Sequence, residues 1–178
     1  MTRNTSLLVL TFRLTMCAAA GAPAPELVVR SGHSGPVPLV AFTPDGRTIL
    51  SAGDDGAIRF WDAGRGTFLR RIAAHAGAVS DLAPCPDGAV IASTGTDGML
   101  RLWSFETGRK QGESRTGAMS RIAWLGDCQH FAVSTGPGIA IVDLKNSSAQ
   151  PRVLESAEAI ITLRYVSAEH LLIAGTGY

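Results

Sequence analysis

The sequence predicts an all-β fold, a β-propeller of four-stranded antiparallel blades, from three observations. A shift of 42 residues places Pro44-Asp45-Gly46 on Pro86-Asp87-Gly88 and Trp61 on Trp103 without an insertion. Each repeated unit alternates short apolar stretches with turns rich in proline, aspartate and glycine. One unit holds four such stretches, and four short strands in about 40–45 residues are the content of one propeller blade.

The first unit, residues 31–72, supplies its four strands in order. The predicted strands are Val37–Phe42, Arg47–Ala52, Ala57–Trp61 and Thr67–Ile72. The first pair is joined by Thr43-Pro44-Asp45-Gly46, which has proline second and glycine fourth, as a type I turn prefers. The other turns are Asp54-Asp55-Gly56 and residues 62–66. The second unit, residues 73–114, repeats this order.

These residues resemble the WD-repeat family at the positions that define it. Gly32-His33 opens the first unit, Trp61-Asp62 closes its third strand, and an Asp-Gly turn lies between. The resemblance implies a hydrogen-bonded tetrad of structural residues inside each blade. The tetrads are His33, Ser51, Asp55 and Trp61 in the first unit and His75, Ser93, Asp97 and Trp103 in the second. Ala74 and Ser104 depart from the family pattern, since glycine and aspartate are usual at those positions.

The later units match less well. Residues 115–156 align only in outline, with Pro137-Gly138 in place of the Asp-Gly turn, and a fourth unit, residues 157–178, breaks off at the turn before its third strand. Complete rings have about 4–8 blades. We therefore expect an incomplete ring, the N-terminal part of a longer one, in which Leu27–Arg30 forms an outer strand. A four-bladed ring missing one strand and two chains sharing one ring remain open, and the open ends would permit self-association.

The leader and the charge bear on location and partners. Residues 1–25 have the charged, apolar and small-residue order of a secretory signal, although Arg13 interrupts the apolar run. We expect export to the periplasm or outside the cell, or a cytoplasmic chain if Met16 is the true start. No apolar segment is long enough to span a bilayer. A net charge of +1 gives no reason to expect a nucleic-acid partner.

The sequence predicts structural roles, and no metal site, for its cysteines, its paired arginines and its later histidines. Cys85 and Cys128 fall near the first turns of adjacent blades, where we expect the blades to fan apart, so packed or free thiols are predicted in preference to a disulfide. Arg70-Arg71 is predicted to be a pair of solvated edge charges. His130 and His170 are isolated, and no Cys-x-x-Cys occurs, so neither a metal nor another cofactor is expected.

The tetrads contain the residue types of a nucleophilic triad, but their recurrence in two adjacent units favours a structural network over catalysis. The family resemblance implies a partner-binding face formed by the loop before the first strand and the turn after the second. Its residues here are Pro36, Pro38, Asp54, Ala78, Ser80, Thr96, Ala118 and Ser120. The function expected is a non-catalytic scaffold for a protein or peptide. The alternatives are the N-terminal regulatory propeller of a larger bacterial enzyme, with a caspase-like, kinase or cytochrome-linked domain, and a fragment without independent function.

Overall fold

The computed structural model describes residues 32–118, 120–135, 138–145, 152–155, 160–166 and 171–176. Within these ranges, consecutive strands form four antiparallel sheets. The first sheet contains β1 (Leu39–Phe42), β2 (Thr48–Ala52), β3 (Ala57–Asp62) and β4 (Phe68–Ala73). The second contains β5 (Val79–Pro84), β6 (Val90–Gly95), β7 (Met99–Ser104) and β8 (Lys110–Arg115). The third contains β9 (Ile122–Trp124), β10 (His130–Ser134), β11 (Gly138–Asp143) and β12 (Arg152–Glu155), and the last contains β13 (Ile160–Val166) and β14 (Leu171–Thr176).

Each sheet is a meander, because its strands are hydrogen-bonded in sequence order. The first strand begins at Leu39, two residues later than predicted. Pro38 lacks an amide hydrogen for the ladder, and the preceding Pro36 carbonyl accepts a hydrogen bond from the Asp54 amide at 3.1 Å. The other strands of the first sheet lie within one residue of their predicted positions.

The turn after β1 shows how local sequence sets the meander. The Gly46 amide donates to the Thr43 carbonyl at 2.9 Å, which closes the turn, and the Thr43 amide donates to the Thr48 carbonyl at 2.9 Å. Gly46 has φ of 68°, in the left-handed region that a residue with a Cβ adopts at a cost. Gly88 repeats this conformation at φ of 77° in the second sheet.

The hydrophobic core lies between the sheets. One face of the first sheet, including Leu50, Ile58 and Phe60, packs against Ile91 and Trp103 of the second. A second cluster joins the second and third sheets, and a third joins the third and last sheets. The sheets are therefore consecutive propeller blades, numbered here from one to four, and each blade buries its apolar face against the next one.

The other face of blade one is partly uncovered. Val40 and Phe42 on β1 are 62% and 59% exposed, whereas Leu82, which follows Val40 by 42 residues, is only 8% exposed because blade one covers it. Within the described residues the blades do not close into a ring. The predicted strand at Leu27–Arg30 and the predicted leader fall outside those residues.

Arg70 is not the solvated edge charge that the sequence suggested. The register of β3 and β4 sets it opposite Phe60, so the two side chains share a face. Its guanidinium carbon lies 4.2 Å from the centroid of the Phe60 ring and 5.4 Å from that of Phe105, while Nη1 donates to the Glu106 carbonyl at 2.5 Å. Burial lowers the pKa of Arg70. Arg71, in contrast, is exposed.

The described residues include no helix with the length and apolar character needed to cross a membrane.

Candidate functional site

The structure brings the four residues of each tetrad together. In blade one, Trp61 Nε1 lies 2.8 Å from Ser51 Oγ, which lies 2.8 Å from His33 Nε2, and His33 Nδ1 lies 2.9 Å from Asp55 Oδ1. The side chains come from three places: the segment before β1, the strands β2 and β3, and the turn between those strands. The chain of contacts therefore fastens two loops at one edge of the blade to its central strands.

The second blade repeats this geometry. Trp103 Nε1 lies 2.9 Å from Ser93 Oγ, Ser93 Oγ lies 2.8 Å from His75 Nε2, and His75 Nδ1 lies 2.9 Å from Asp97 Oδ1. An indole nitrogen only donates and a carboxylate only accepts, so the hydrogen bonds run in one direction, from tryptophan through serine and histidine to aspartate. A neutral histidine protonated on Nδ1 satisfies every step of this chain.

Each tetrad is completed by an arginine that the sequence interpretation missed. Arg59 Nη1 donates to Asp55 Oδ2 at 2.8 Å, and its Nη2 donates to the Gly32 carbonyl. Arg101 Nη1 donates to Asp97 Oδ2 at 2.6 Å and to the Ala74 carbonyl at 3.2 Å. Both guanidinium groups also contact the histidine ring. The recurrence of arginine 42 residues apart, inside an otherwise apolar third strand, was the signal that could have identified them.

The electrostatics favour a charged aspartate in both tetrads and a neutral histidine in the tetrad of blade two. Burial alone would raise the pKa of Asp97, but the hydrogen bonds from Arg101 and His75 lower it well below its usual range. Asp55 has the same balance and the same outcome. Burial lowers the pKa of His75, and the Asp97 carboxylate opposes that shift only in part. The network of blade two is therefore fully hydrogen-bonded at neutral pH.

The tetrads have the distances of a nucleophilic triad without its accessibility. Ser51 is 4% exposed and Ser93 is fully buried. Each hydroxyl oxygen also accepts a hydrogen bond from the tryptophan indole of its own blade. A nucleophile needs an approach path for a substrate carbonyl, and neither serine offers one. The arrangement therefore acts as a buried polar network that holds loops in place.

Most of the predicted partner-binding residues lie on or beside the loops that the tetrads fasten in blades one and two, and Ala118 and Ser120 lie before β9 in blade three. The Asp54 amide donates to the Pro36 carbonyl at 3.1 Å in blade one, and the Thr96 amide donates to the Ala78 carbonyl at 2.9 Å in blade two. The exposed members are Pro36, Pro38, Asp54, Thr96 and Ala118. They form one rim with little charge, which we call the loop face.

Two of the predicted residues do not present their side chains on this rim. Ser120 is 3% exposed, and its hydroxyl donates inward to the Gly117 carbonyl at 3.0 Å. The Ser80 hydroxyl is buried and has no hydrogen-bond partner among the described atoms, while the Ser80 carbonyl accepts from Arg121 Nη1 at 2.6 Å. Both serines lie where blades two and three meet, Ser80 at the start of β5 and Ser120 just before β9, and the backbone carbonyl of each accepts a hydrogen bond from the neighbouring blade.

The third blade is attached to the second by hydrogen bonds between their first strands. The Ile122 amide donates to Asp81 Oδ2 at 2.8 Å, and Trp124 Nε1 donates to the Ala83 carbonyl at 2.9 Å. Thr94 Oγ1 donates across the same boundary to the Ser120 carbonyl at 2.6 Å. Blade three, which lacks the tetrad residues, thus satisfies its Ile122 amide and its Trp124 indole on its neighbour.

The cysteines correct a sequence expectation. The Cα atoms of Cys85 and Cys128 are 5.2 Å apart and their sulfur atoms lie within bonding distance, so the pair forms a disulfide. The expectation failed because these turns follow the innermost strands, where neighbouring blades converge. The Asp87 carboxylate lies beside the pair, and the three side chains could also approach a metal ion.

His130 is not isolated either. Its Nδ1 lies 2.8 Å from Asp127 Oδ2, at an exposed turn of blade three. The hydrogen bond from His130 lowers the pKa of Asp127 to about 2, and Asp127 raises the pKa of His130. This exposed pair is a local turn contact. His170 falls outside the described residues.

Comparison with known proteins identifies the repeated units. A model of the WD domain, G-beta repeat, matches residues 25–62 and 66–104. Mouse WD repeat-containing protein 38 is 49% identical over 41 residues, a match that spans 23% of this chain and 14% of the mouse protein.

Solved structures show the same architecture. The Cps50 (Swd1) β-propeller domain of Myceliophteria thermophila aligns with a TM-score of 0.71 and 21% identity, over 81% of this chain and 49% of that one. A chain of the mitotic checkpoint complex aligns with a TM-score of 0.70 and 21% identity, over 82% of this chain and 47% of that one. This chain thus spans about half the length of the solved chains it matches. Residues 25–62 and 66–104 thus match the WD-repeat family model, and the described strands beyond them continue the same β-propeller architecture.

Proposed function

We propose that this chain is a non-catalytic scaffold that binds a protein or an extended peptide through the loop face. The observation that carries the proposal is the position of the tetrads. His33 precedes β1 and Asp55 lies in the turn between β2 and β3, so their hydrogen bond joins the two loops that present Pro36 and Asp54. The same arrangement in blade two fixes the loops that present Ala78 and Thr96.

Fixed loops lower the conformational cost of binding, because less freedom is lost when the partner docks. Two proline rings, Pro36 and Pro38, further limit the backbone of the rim in blade one. The exposed side chains of the rim are short and, apart from Asp54, uncharged. Such a surface suits a partner that contributes its own anchoring side chains, as an extended peptide or another domain does.

The absence of a substrate path to either serine supports the non-catalytic part of the proposal. Ser51 and Ser93 are both buried, and both already make two hydrogen bonds inside the blade. The serine, histidine and aspartate that resemble a catalytic triad are therefore engaged in the hydrogen bonds that hold the loop face.

Site-specific photo-crosslinking tests the location of binding. We would place p-benzoylphenylalanine at Thr96, on the loop face, and, as the matched control, at Arg65, an exposed position in the turn between β3 and β4. That turn lies at the opposite edge of the blade. Each variant is expressed as the full chain in its native host and checked by circular dichroism before irradiation.

We expect a discrete crosslinked protein from position 96 and none from position 65. Equal crosslinking at both positions, or a crosslink only at position 65, would contradict binding through the loop face. Folded variants without any crosslink at either position would contradict the scaffold function itself.

We also propose that the chain is exported, as the order of residue types in its leader favours. The Cys85–Cys128 disulfide supports this, since disulfides persist mainly in oxidising compartments. Cell fractionation with mass determination of the mature chain tests the proposal. A cytoplasmic chain that retains its leader would overturn it.

A further inference from the structure

We propose that Cys85 and Cys128 form a reversible disulfide that fastens blade three to blade two, and that blade two keeps its fold when the bond is reduced. The proposal rests on the place of the two cysteines in the propeller. Cys85 begins the turn between β5 and β6, and Cys128 lies in the turn between β9 and β10. The bond therefore links equivalent turns of adjacent blades.

The reduced state is accommodated because Cys85 takes the position of Thr43 in blade one. There the Thr43 hydroxyl donates to Asp45 Oδ1 at 2.6 Å and accepts from the Thr48 amide at 3.1 Å. In blade two, Cys85 Sγ lies 2.7 Å from Asp87 Oδ1 and 3.3 Å from the Val90 amide. A Cys85 thiol thus makes the contacts of the Thr43 hydroxyl, and the turn does not depend on the disulfide.

The two sulfurs differ in access. Cys85 is fully buried, whereas Cys128 is partly exposed, and its sulfur accepts a hydrogen bond from the Asp87 amide at 3.3 Å. A small disulfide oxidant such as glutathione disulfide therefore reaches Cys128 first. The difference sets the order of bond formation.

The exchange proceeds in two displacements. The Cys128 thiolate attacks glutathione disulfide, forms a mixed disulfide and releases one glutathione thiolate. The Cys85 thiolate then attacks the Cys128 sulfur and releases the second glutathione. The two cysteines lose two electrons and two protons, and one glutathione disulfide becomes two glutathione thiols. An excess of glutathione reverses both steps.

The bond matters at this boundary because blade three lacks the internal network of the first two blades. Its attachment otherwise depends on the apolar cluster between the blades and on contacts such as those of Ile122 with Asp81 and Trp124 with Ala83. The disulfide closes a sequence separation of 43 residues, and closing a loop of that size restricts the unfolded chain substantially.

The test uses the full chain equilibrated with glutathione buffers of different redox ratio, then alkylated and digested with trypsin. Cleavage after arginine and lysine places Cys85 in the peptide of residues 72–101, Cys128 in residues 122–145 and Cys17 in residues 14–30. We expect an oxidised product that joins the first two peptides, converting to two alkylated peptides as reduced glutathione increases. A product that joins either peptide to that of Cys17, or alkylated cysteines throughout, would overturn the proposal.

A second measurement uses Cys85→Thr, which restores the residue that blade one carries. We expect reduction to lower the melting temperature of the wild-type chain by about 5–15 °C, to a value close to that of Cys85→Thr. The melting temperature of the variant should not change with redox state. A wild-type melting temperature that does not change on reduction would refute the fastening role. A loss of β-sheet circular dichroism in the reduced protein below its melting temperature would refute the claim that blade two folds without the disulfide.

Zinc provides the competing occupant, because the Cys85, Asp87 and Cys128 ligand atoms lie within 4.8 Å of one another. Three results together would identify a metal site and overturn the disulfide: the wild-type chain retains equimolar zinc through gel filtration, Cys85→Thr does not, and zinc protects both cysteines from oxidation. All these measurements use purified protein, so their outcome is independent of the proposed partner binding and of export.

Discussion

Replacing Ser93 with alanine isolates the contribution of the buried network. Ser93 is fully buried, and its oxygen accepts from Trp103 Nε1 at 2.9 Å and donates to His75 Nε2 at 2.8 Å. Alanine removes that oxygen and leaves two buried polar groups without a partner. Each such group costs about 1–3 kcal/mol, so we expect the free energy of unfolding to fall by about 2–6 kcal/mol.

The assay is thermal and urea denaturation of the full chain, followed by circular dichroism. For a chain of this size, about 1 kcal/mol corresponds to roughly 2–4 °C, so the melting temperature should fall by about 4–24 °C. Ser114→Ala is the matched control, because Ser114 is exposed on β8 and its replacement should change stability by less than about 0.5 kcal/mol.

A double-mutant cycle with Trp103→Phe separates the hydrogen bond from the packing. Phenylalanine keeps an aromatic side chain but removes the indole donor, so once it is present the loss of Ser93 should cost about 1 kcal/mol less than in the wild type. A Ser93→Ala variant as stable as Ser114→Ala, or a cycle without coupling, would refute the reasoning that these contacts hold the blade together.

Three further predictions concern turns, an arginine and pH. Gly56→Ala should destabilise the chain by several kcal/mol in urea denaturation, because the added Cβ would lie 2.2 Å from the His75 carbonyl oxygen. Gly46→Ala, also at positive φ but with open space around it, should cost only about 1–2 kcal/mol. Arg70→Ala should lower stability by about 1–2 kcal/mol through lost contact with two rings, and the exposed Arg71→Ala should be nearly neutral in the same assay. Burial lowers the pKa of His75, so the unfolded chain binds a proton more readily than the folded one; the urea midpoint should therefore fall as the pH decreases below about 6.5, and His75→Gln should flatten that part of the profile.

The strands and turns were predictable because their signals are local. The Pro-Asp-Gly turns and the alternation of apolar residues are visible within short windows of sequence, and the same pattern returns 42 residues later. Even the fourth unit, which carries none of the family's motif residues, forms the two strands expected from its apolar pattern, β13 and β14.

The features that sequence reasoning missed depend on distances between separate blades or between paired strands. Arg70 stands next to Arg71, and such a charged pair in an outer strand is typical of a solvated edge; only the register of β3 with β4 sets Arg70 over Phe60. Cys85 and Cys128 are brought together by the convergence of blades at their inner strands. Ser120 is a small polar residue of the kind that surface loops contain, but it is buried at the boundary between two blades.

Blades two and three differ in where their buried donors find acceptors, and blade three depends on blade two more than blade two depends on blade three. Blade two satisfies its buried Trp103 indole on its own Ser93, whereas blade three satisfies its Trp124 indole on the Ala83 carbonyl of blade two. Asp81 likewise accepts from the Ile122 amide across the boundary. Loss of blade three would leave the tetrad of blade two intact and remove the acceptor of one buried blade-two donor, the Thr94 hydroxyl. Loss of blade two would remove the acceptors of two blade-three donors, the Ile122 amide and the Trp124 indole, each hydrogen bond contributing about 0.5–1.5 kcal/mol. Disruption should therefore spread from blade two towards blade three more readily than in the opposite direction.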